Sequence, residues 1–459
     1  MMKNRWCSLE LGQLAKFIDY RGKTPKKTTH GIPLITAKNV RMGFIKEDPK
    51  EFIANEDYDA WMTRGIPNKR DILFTTEAPL GYVAQLKTSN KIALAQRLIT
   101  FQVVEGIINE FLKFNLMSPQ FQTTLDSLST GTTVKGIKAS KLKLIKIHFP
   151  PLPEQRAIVA KIEQLFSELD NGIANLKAAK AKLVIYRQAV LKKAFEGELT
   201  RNTKIEEKKI GDFAKIISGF AFKKSEYSNE GVKLFQIANV SFNKITWKKT
   251  AYLPSSYLGN PKFENLILKQ GDLVMALNRP MLNNKLKIGR LSNADVPSIL
   301  YQRVGKFDLL PAVLPDYLLY FLQSPLFTKW LSDELQGVNI PFINQTKLLA
   351  FKSFPYTNCE NQYAIVQEIE TRLSVCDNIL RNIEEGLEKA EALRQSILKK
   401  TFEGKLLNET ELAVCRQQPD WEPAEKLLAR IRRDAMHRVS TTTTMATKTA
   451  TTTTKQNDR

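Results

Sequence analysis

EQRAIVAKIEQLFSELDNGIANLKAAKAKLVIYRQAVLKKAFEGEL occupies residues 154–199, and NQYAIVQEIETRLSVCDNILRNIEEGLEKAEALRQSILKKTFEGKL occupies residues 361–406. The two stretches align without a gap at an offset of 207, and roughly 20 of the 46 positions are identical. In the first, Ile162, Leu169, Leu176, Leu183 and Val190 recur at a strict seven-residue period. The second repeats the row with Ile369, Cys376, Ile383, Ala390 and Ile397. Leu165 and Tyr186, and in the copy Ile379 and Leu393, stand three residues after a member of that row, as a second seam position. Such a pattern predicts two long coiled-coil helices. Pro150, Pro151 and Pro153 lie where a helix start tolerates proline, and Gly197 and Gly404 mark the ends. Some 42 residues at 1.5 Å each would make a rod of about 60 Å. Neither helix can bury its row alone. Either each covers the other, antiparallel, or each packs inside a globular neighbour; the length favours mutual cover, since globular helices usually stop near 20 residues.

The duplication extends upstream. Gly31-Ile32-Pro33-Leu34 followed by Asn39-Val40 corresponds to Gly231-Val232-Lys233-Leu234 followed by Asn239-Val240. Asp71-Ile72-Leu73 and Pro79 correspond to Asp272-Leu273-Val274 and Pro280; Gln96-Arg97 to Gln302-Arg303; Ser118-Pro119 to Ser324-Pro325. Gly131 before Lys141-Leu142 matches Gly337 before Lys347-Leu348. One unit of roughly 206 residues is therefore written twice. Between these anchors the copies diverge, RGKTPKKTTH at 21–30 facing GFAFKKSEYSN at 219–229. A shared frame with different loops lets one scaffold carry two specificities.

Both variable blocks have a mixed α/β pattern. The apolar runs IPLITAKNV, RDILFTT and KLKLIKIHF, and in the copy VKLFQIANV, GDLVMAL and KLLAFKSF, are expected strands between Gly, Pro and Asn turns. Residues 109–128 and 315–335 are expected helices, and 421–438 one more amphipathic helix. The low-complexity STTTTMATKTATTTTK at 440–455 is expected to be disordered.

Charge follows the same division. The net of +22 is concentrated as +10 in residues 1–150 and +10 in 208–356, against +2 in 151–207 and zero in 357–459. Two basic heads on a near-neutral spacer suit nucleic-acid phosphates. Cys7, Cys359, Cys376 and Cys415 are far apart and form no CxxC pair, which argues against a zinc site or disulfide scaffold and fits a reducing compartment. With no signal-peptide core and no apolar run of the length a membrane span needs, a soluble cytoplasmic protein is expected.

Catalytic signatures are missing. There is no GxGxxG or GxxxxGK[ST] loop for a nucleotide, and His148-Phe149-Pro150-Pro151 lacks the Asn or Asp that an amino-methyltransferase places before Pro-Pro-aromatic. Three histidines, His30, His148 and His437, offer little for a triad or metal site. We expect no active site and no metal site in this chain.

The duplicated plan resembles the specificity subunit of type I restriction–modification systems. The resemblance rests on PPLPEQRAIVAKIEQLFSELD opening the first helix, RQAVLKKAFEGEL closing it, GTTVKGIKASKLKLIKIHFPPLPEQ at 131–155 and EKLLARIRRD at 425–434. It covers nearly the whole chain, departing at FPYTNCENQYAIV, where the second copy lacks the Pro-Leu-Pro-Glu-Gln form. The resemblance implies a mixed α/β (α+β) fold: two target-recognition domains separated by two long antiparallel coiled-coil helices with pseudo-two-fold symmetry. On it we divide the chain into a first target-recognition domain (1–150), a central helix (151–199), a second target-recognition domain (200–356), a distal helix (357–407), a C-terminal extension (408–439) and a Thr-rich tail (440–459). It further implies that each domain reads one half of a bipartite DNA site on double-stranded DNA, while the helices set the spacer and dock two modification subunits. Those subunits would methylate adenine from S-adenosylmethionine, and separate restriction subunits would use ATP and Mg, so no cofactor is expected in this chain.

Candidate contacts follow from residue chemistry. Phosphates are expected to meet Arg21, Lys23, Lys26, Lys27 and Lys135 in the first head and Lys223, Lys224 and Lys285 in the second. Base edges suit the bidentate reach of Arg97, Arg303, Asn278 and Arg279. Because Gln-Arg recurs in both copies, a framework role competes with base reading there. Asn39 and Asn239 are expected to be turn or core-edge hydrogen-bonders. Two-fold readers place half-sites on the order of 10 bp apart. The exposed helix faces near 187–198 and 394–405 are the expected docking surfaces.

Two other readings stay open: a structural coiled-coil adaptor with incidental charge, and a standalone enzyme with a degenerate motif.

Overall fold

The computed structural model describes residues 6–20, 24–95, 97–200 and 204–434. Arg21, Lys23, Gln96, the last residues of the helix expected over 421–438 and the Thr-rich tail lie outside the described residues. The chain forms two compact units, one of Met1–Ala174 with Gly386–Arg459, the other of Asn175–Glu385. Each long helix thus begins in one unit and ends in the other, so each unit holds one head and parts of both helices.

The heads share one architecture. In the first, the antiparallel sheet runs Ala15–Asp19, Leu98–Val103, Ile72–Thr75, Val83–Gln85. In the second it runs Ala214–Ser218, Val304–Leu309, Leu273–Ala276, Ile288–Arg290, in the same order. A second sheet in each head, of three strands in the first and four in the second, contains one parallel pair, Ile32–Ile35 with Ala93–Leu94 and Val232–Phe235 with Ser298–Leu300. A two-stranded ladder closes each head, Cys7–Glu10 with Lys146–Phe149 and Glu206–Lys208 with Phe354–Tyr356. Lys146–Phe149 alternates exposed and buried residues, the period of a half-buried strand.

Two expectations need correction. KLKLIKIHF and KLLAFKSF are each a short helix, Ala139–Lys143 and Gln345–Leu349, followed by a strand. The single helices expected over 109–128 and 315–335 are each two: Asn109–Met117 and Pro119–Leu128, and Pro315–Leu322 and Pro325–Glu334. The break falls at Ser-Pro in both. Ser118 and Ser324 are extended and accept from the Phe121 and Phe327 amides, while proline takes the first helical position.

The long helices span Leu152–Phe195 and Cys359–Phe402, 44 residues and about 66 Å each. In the first unit Ile158, Ile162 and Phe166 share a core with Ile397 and Leu398 and with Phe111, Phe114 and Phe149 of the head. In the second, Leu191, Ala194 and Phe195 share one with Ile365, Val366 and Ile369 and with Tyr317 and Phe321. The helix ends therefore pack into the globular heads. In the second unit's middle stretch, Leu176 and Leu183 are half-buried and Cys376 and Ile383 buried. In the first unit Leu169 and Ala390 are half-buried, and Val190 in the second and Ile397 in the first are buried.

The second seam position is displaced by one residue. Tyr186, Ile379 and Leu393 are 44%, 41% and 50% exposed, and only Leu165 of that set is half-buried. The inward row stands four residues after the first: Phe166 and Ile173, then Leu373, Leu380 and Leu387, with Arg187 and Arg394 continuing it. A heptad admits steps of three-then-four or four-then-three, and apolar periodicity alone does not see an arginine on the inward side. In the second unit Arg187 pairs with Asp377 and Lys180 with Glu384 at 2.8 Å, so the helices run antiparallel. In the first, Arg394 pairs with Asp170 at 2.5 Å and lies 4.7 Å from the Phe166 ring centre. Both arginines are half-buried, and the Arg394 guanidinium lies over the Phe166 ring while it pairs with Asp170.

The residues Glu-Gln and Asn-Gln that open the helices now have a reason. Gln155 is fully buried; its amide accepts from Ile108 N and donates to the Gly106 and Pro150 carbonyls. Gln362, also fully buried, accepts from Leu314 N and donates to the Ala312 and Thr357 carbonyls. Three backbone groups that no strand or helix serves are satisfied each time by one side chain.

In the first unit the chain continues through Glu409–Arg416 to a helix over 424–434. Leu412, Cys415, Leu427 and Ile431 enter that unit's core. Arg156 grips Asp420 at 2.7 Å and Lys161 grips Glu411 at 2.9 Å.

Candidate nucleic-acid interface

The base-edge candidates converge on one edge of each head. In the first, Thr76 N donates to Arg97 O at 3.0 Å and Ile137 N to Thr76 O at 3.0 Å. In the second, Leu277 N donates to Arg303 O at 2.8 Å and Ile343 N to Leu277 O at 3.0 Å. Three segments meet in each case: the exit of a central strand, the Gln-Arg turn, and a hairpin over 130–136 or 336–342. The hairpins close on themselves through Thr130 with Gly136 and Gln336 with Phe342, each by two backbone bonds. They are tied to the strand exit by the bridges Glu77 with Gly136 and Asn278 with Phe342. The hairpins escaped sequence reading; their signal was the shared Gly131 and Gly337, both at positive φ.

Backbone conformation is unusual here. Arg97 and Arg303 have φ of 73° and 71°, and Ala78 and Arg279 have 43° and 46°. A left-handed conformation costs a residue with a side chain about 1–2 kcal/mol, and such strain gathers where side-chain aim matters. Arg70, at φ 75°, gives a contrast. Its guanidinium is committed to Glu110 at 2.6 and 3.1 Å. Burial pushes the Glu110 carboxyl up, but hydrogen bonds from Arg70, its own backbone and Gln85 outweigh it and hold the group below its ordinary value. That arginine is structural.

Side chains at the edge differ between heads. Arg97 pairs with Glu77 at 2.9 Å. Asn278 takes the place of Glu77, and Arg279 and Arg303 are exposed with no carboxylate partner among the described residues. The second head also carries a small hairpin, Met281–Leu282 with Lys285–Leu286, turning through Asn283 and Asn284 at positive φ. It brings Lys285 to the same edge, 6.0 Å from the Phe242 ring centre. A surface cleft of about 470 Å³ lies beside the first hairpin, lined by Ala78, Pro79, Leu80, Gln122, Val134 and Lys135.

The other lysine candidates scatter. Lys27 pairs with Glu51 at 2.7 Å and Lys135 with Asp126 at 2.5 Å. Lys26, Lys223 and Lys224 are exposed, the last two on the turn at Lys224–Glu226. Of these, only Lys135 lies in an edge hairpin. Asn39 and Asn239 are held by their own turns. Asn39 accepts from Thr36 N and donates to the Lys46 and Pro49 carbonyls; Asn239 accepts from Gln236 N and donates to the Thr246 and Lys249 carbonyls.

The sequence profile of the type I restriction modification DNA specificity domain family matches residues 3–178 and again 202–389. This chain belongs to that family. The specificity subunit of the type I restriction enzyme MjaVIII from Methanocaldococcus jannaschii is 30% identical over 423 residues, covering 87% of this chain and 93% of that one. The EcoKI specificity subunit of Escherichia coli K12 is 24% identical over 82% of each chain. Among solved structures, a chain described under complex assembly and conformational transition of the type I R-M system superposes with a TM-score of 0.69 at 19% identity, over 88% of this chain and 100% of that one. The HsdS subunit of Thermoanaerobacter tengcongensis gives 0.56 at 20% identity, over 88% and 98%. The specificity-subunit fold is thus a mixed α/β head and a long helix, each present twice. Among the described residues no group of His, Cys, Asp and Glu could hold a metal ion, and no helix is long and apolar enough to cross a membrane.

Proposed function

We propose that this specificity subunit supplies the address of a type I restriction–modification complex. Each head reads one half of a bipartite, asymmetric DNA site, and the long helices set the unread spacer and dock two modification subunits on their exposed faces. One observation carries this reading: the same strained edge is built twice on one backbone plan and furnished with different side chains. A framework-only edge would have no need of unpaired Arg279 and Arg303. In this assignment the chain is non-catalytic and works in the cytoplasm. Adenine methylation from S-adenosylmethionine, and ATP- and Mg-dependent translocation and cleavage, belong to partner subunits.

Methylome sequencing with the gene present and deleted tests the proposal. A two-part adenine motif that vanishes with the gene is expected. Identical methylation in both strains, with the operon transcribed, would refute it.

A further inference from the structure

Each head projects the tip of its edge hairpin into solvent, residues 131–135 in the first and 337–341 in the second. We propose that these tips read base pairs directly and that the second tip selects an A·T pair. The inference deepens the DNA-reading assignment above and rests on it.

The tips are built to hold a shape. A Cβ on Gly131 would fall 2.1 Å from the Val134 carbonyl oxygen, and one on Gly337 would fall 2.9 Å from that of Ile340. Only glycine permits such a tight closure at positive φ. Arg279 N donates to Pro341 O at 2.6 Å, so the second tip is bonded to the strand exit as well as closed on itself. A projection fixed this way meets a ligand without an ordering cost.

What the second tip presents is unusual for a surface turn. Val338 is 99% exposed, Ile340 is 43% exposed, and Asn339 stands between them. Residues 337–341 include no cation. A phosphate contact would use Lys or Arg; here the neighbouring Arg279 and Arg303 supply the charge. An amide reaching N6 and N7 of adenine, with a valine against the thymine methyl, is how such side chains distinguish A·T in the major groove. The first tip has the same closure and other chemistry: Thr132, Thr133 and Val134, with Lys135 committed to Asp126. Threonine hydroxyls bond to either kind of pair, so the two tips impose different preferences from one geometry.

The full-length chain is tested by selecting duplexes from a random library. Wild type is expected to enrich a two-part sequence with an A·T pair at one position of the half-site read by residues 208–356. Replacing the second tip by the first, Val338→Thr with Asn339→Thr and Ile340→Val, should weaken that preference about tenfold or more. The other half-site and the thermal midpoint should not change. A two-part sequence selected equally by both proteins would overturn the inference while leaving the proposed function standing, as would a loss of affinity uniform over all sequences. A wild-type chain that enriches no sequence would overturn both. If the triple variant fails to fold, Asn339→Ala at the same exposed position takes its place in the selection, with the same loss of A·T preference expected and the same outcomes overturning it.

Discussion

The glutamine anchors and the hairpin tips are each built twice, and the copies agree in opposite ways. Gln155 and Gln362 share residue type, burial and all three kinds of hydrogen-bond partner. The tips share only their backbone closure and differ at every side chain between the glycine and the bridge. Where a side chain must satisfy buried main-chain groups, one residue type meets the demand and duplication preserves it. Where the side chain faces outward from a backbone-bonded turn, the fold makes no demand, and the position is free for recognition.

This contrast is broken most directly at the anchors. Gln155→Ala or Gln362→Ala strands one amide and two carbonyls, and each should destabilise its unit by about 3 kcal/mol, near the sum of such losses. Chemical denaturation should show the two effects equal within about 1 kcal/mol; a large loss at one and none at the other would end the equivalence. At the edge, Arg303→Ala should weaken binding to the cognate duplex about tenfold, the scale of a lost base contact. Arg97→Ala, whose partner Glu77 already neutralises it, should cost less. Equal effects would mean the Glu77 pairing is broken on DNA. Ser118→Ala and Ser324→Ala remove equivalent helix caps, and each should lower stability by about 1 kcal/mol in thermal melts.

Smallest are the rim ion pairs. Asp170→Asn and Asp377→Asn should each change stability by under about 1 kcal/mol because water screens both pairs. The C-terminal segment's ion pairs have a pH signature instead. The hydrogen bond from Lys161 holds the Glu411 carboxyl below its ordinary value, and that from Arg156 does the same for Asp420. A depressed carboxylate stabilises the folded form above its unfolded pKa of about 4 and loses that contribution as pH falls through its folded value. Hydrogen-exchange protection across 405–434, taken relative to the intrinsic rate at each pH, should therefore be lost below about pH 4, ahead of that of the head's central strands. Simultaneous loss of both would show that these pairs do not hold the segment.

The fold was legible where apolar spacing speaks. The first seam row could be read directly, since Ile369, Cys376 and Ile383 are apolar at a period of seven. The second row could not, because Arg187 and Arg394 fill inward positions that hydropathy scores as solvent-facing. Ser118-Pro119 and Ser324-Pro325 carried their cap signal in plain sight, yet the helical pattern on both sides masked the break. At the candidate site, Arg97, Arg279 and Arg303 were identifiable by their chemistry. The tips were not, because what marks them is a set of main-chain bonds between residues some 60 apart in sequence, from Leu277 to Ile343.

The core of the first unit draws on Leu11 and Phe111, and also on Ile397, Leu412, Leu427 and Ile431, whereas the second unit is the unbroken stretch Asn175–Glu385. Translation delivers these parts in order. The first unit's core is therefore complete only once residues more than 250 positions downstream of Leu11 and Phe111 have been made, whereas every part of the second unit lies in one stretch. The unit that is begun first is thus the last to have all its parts.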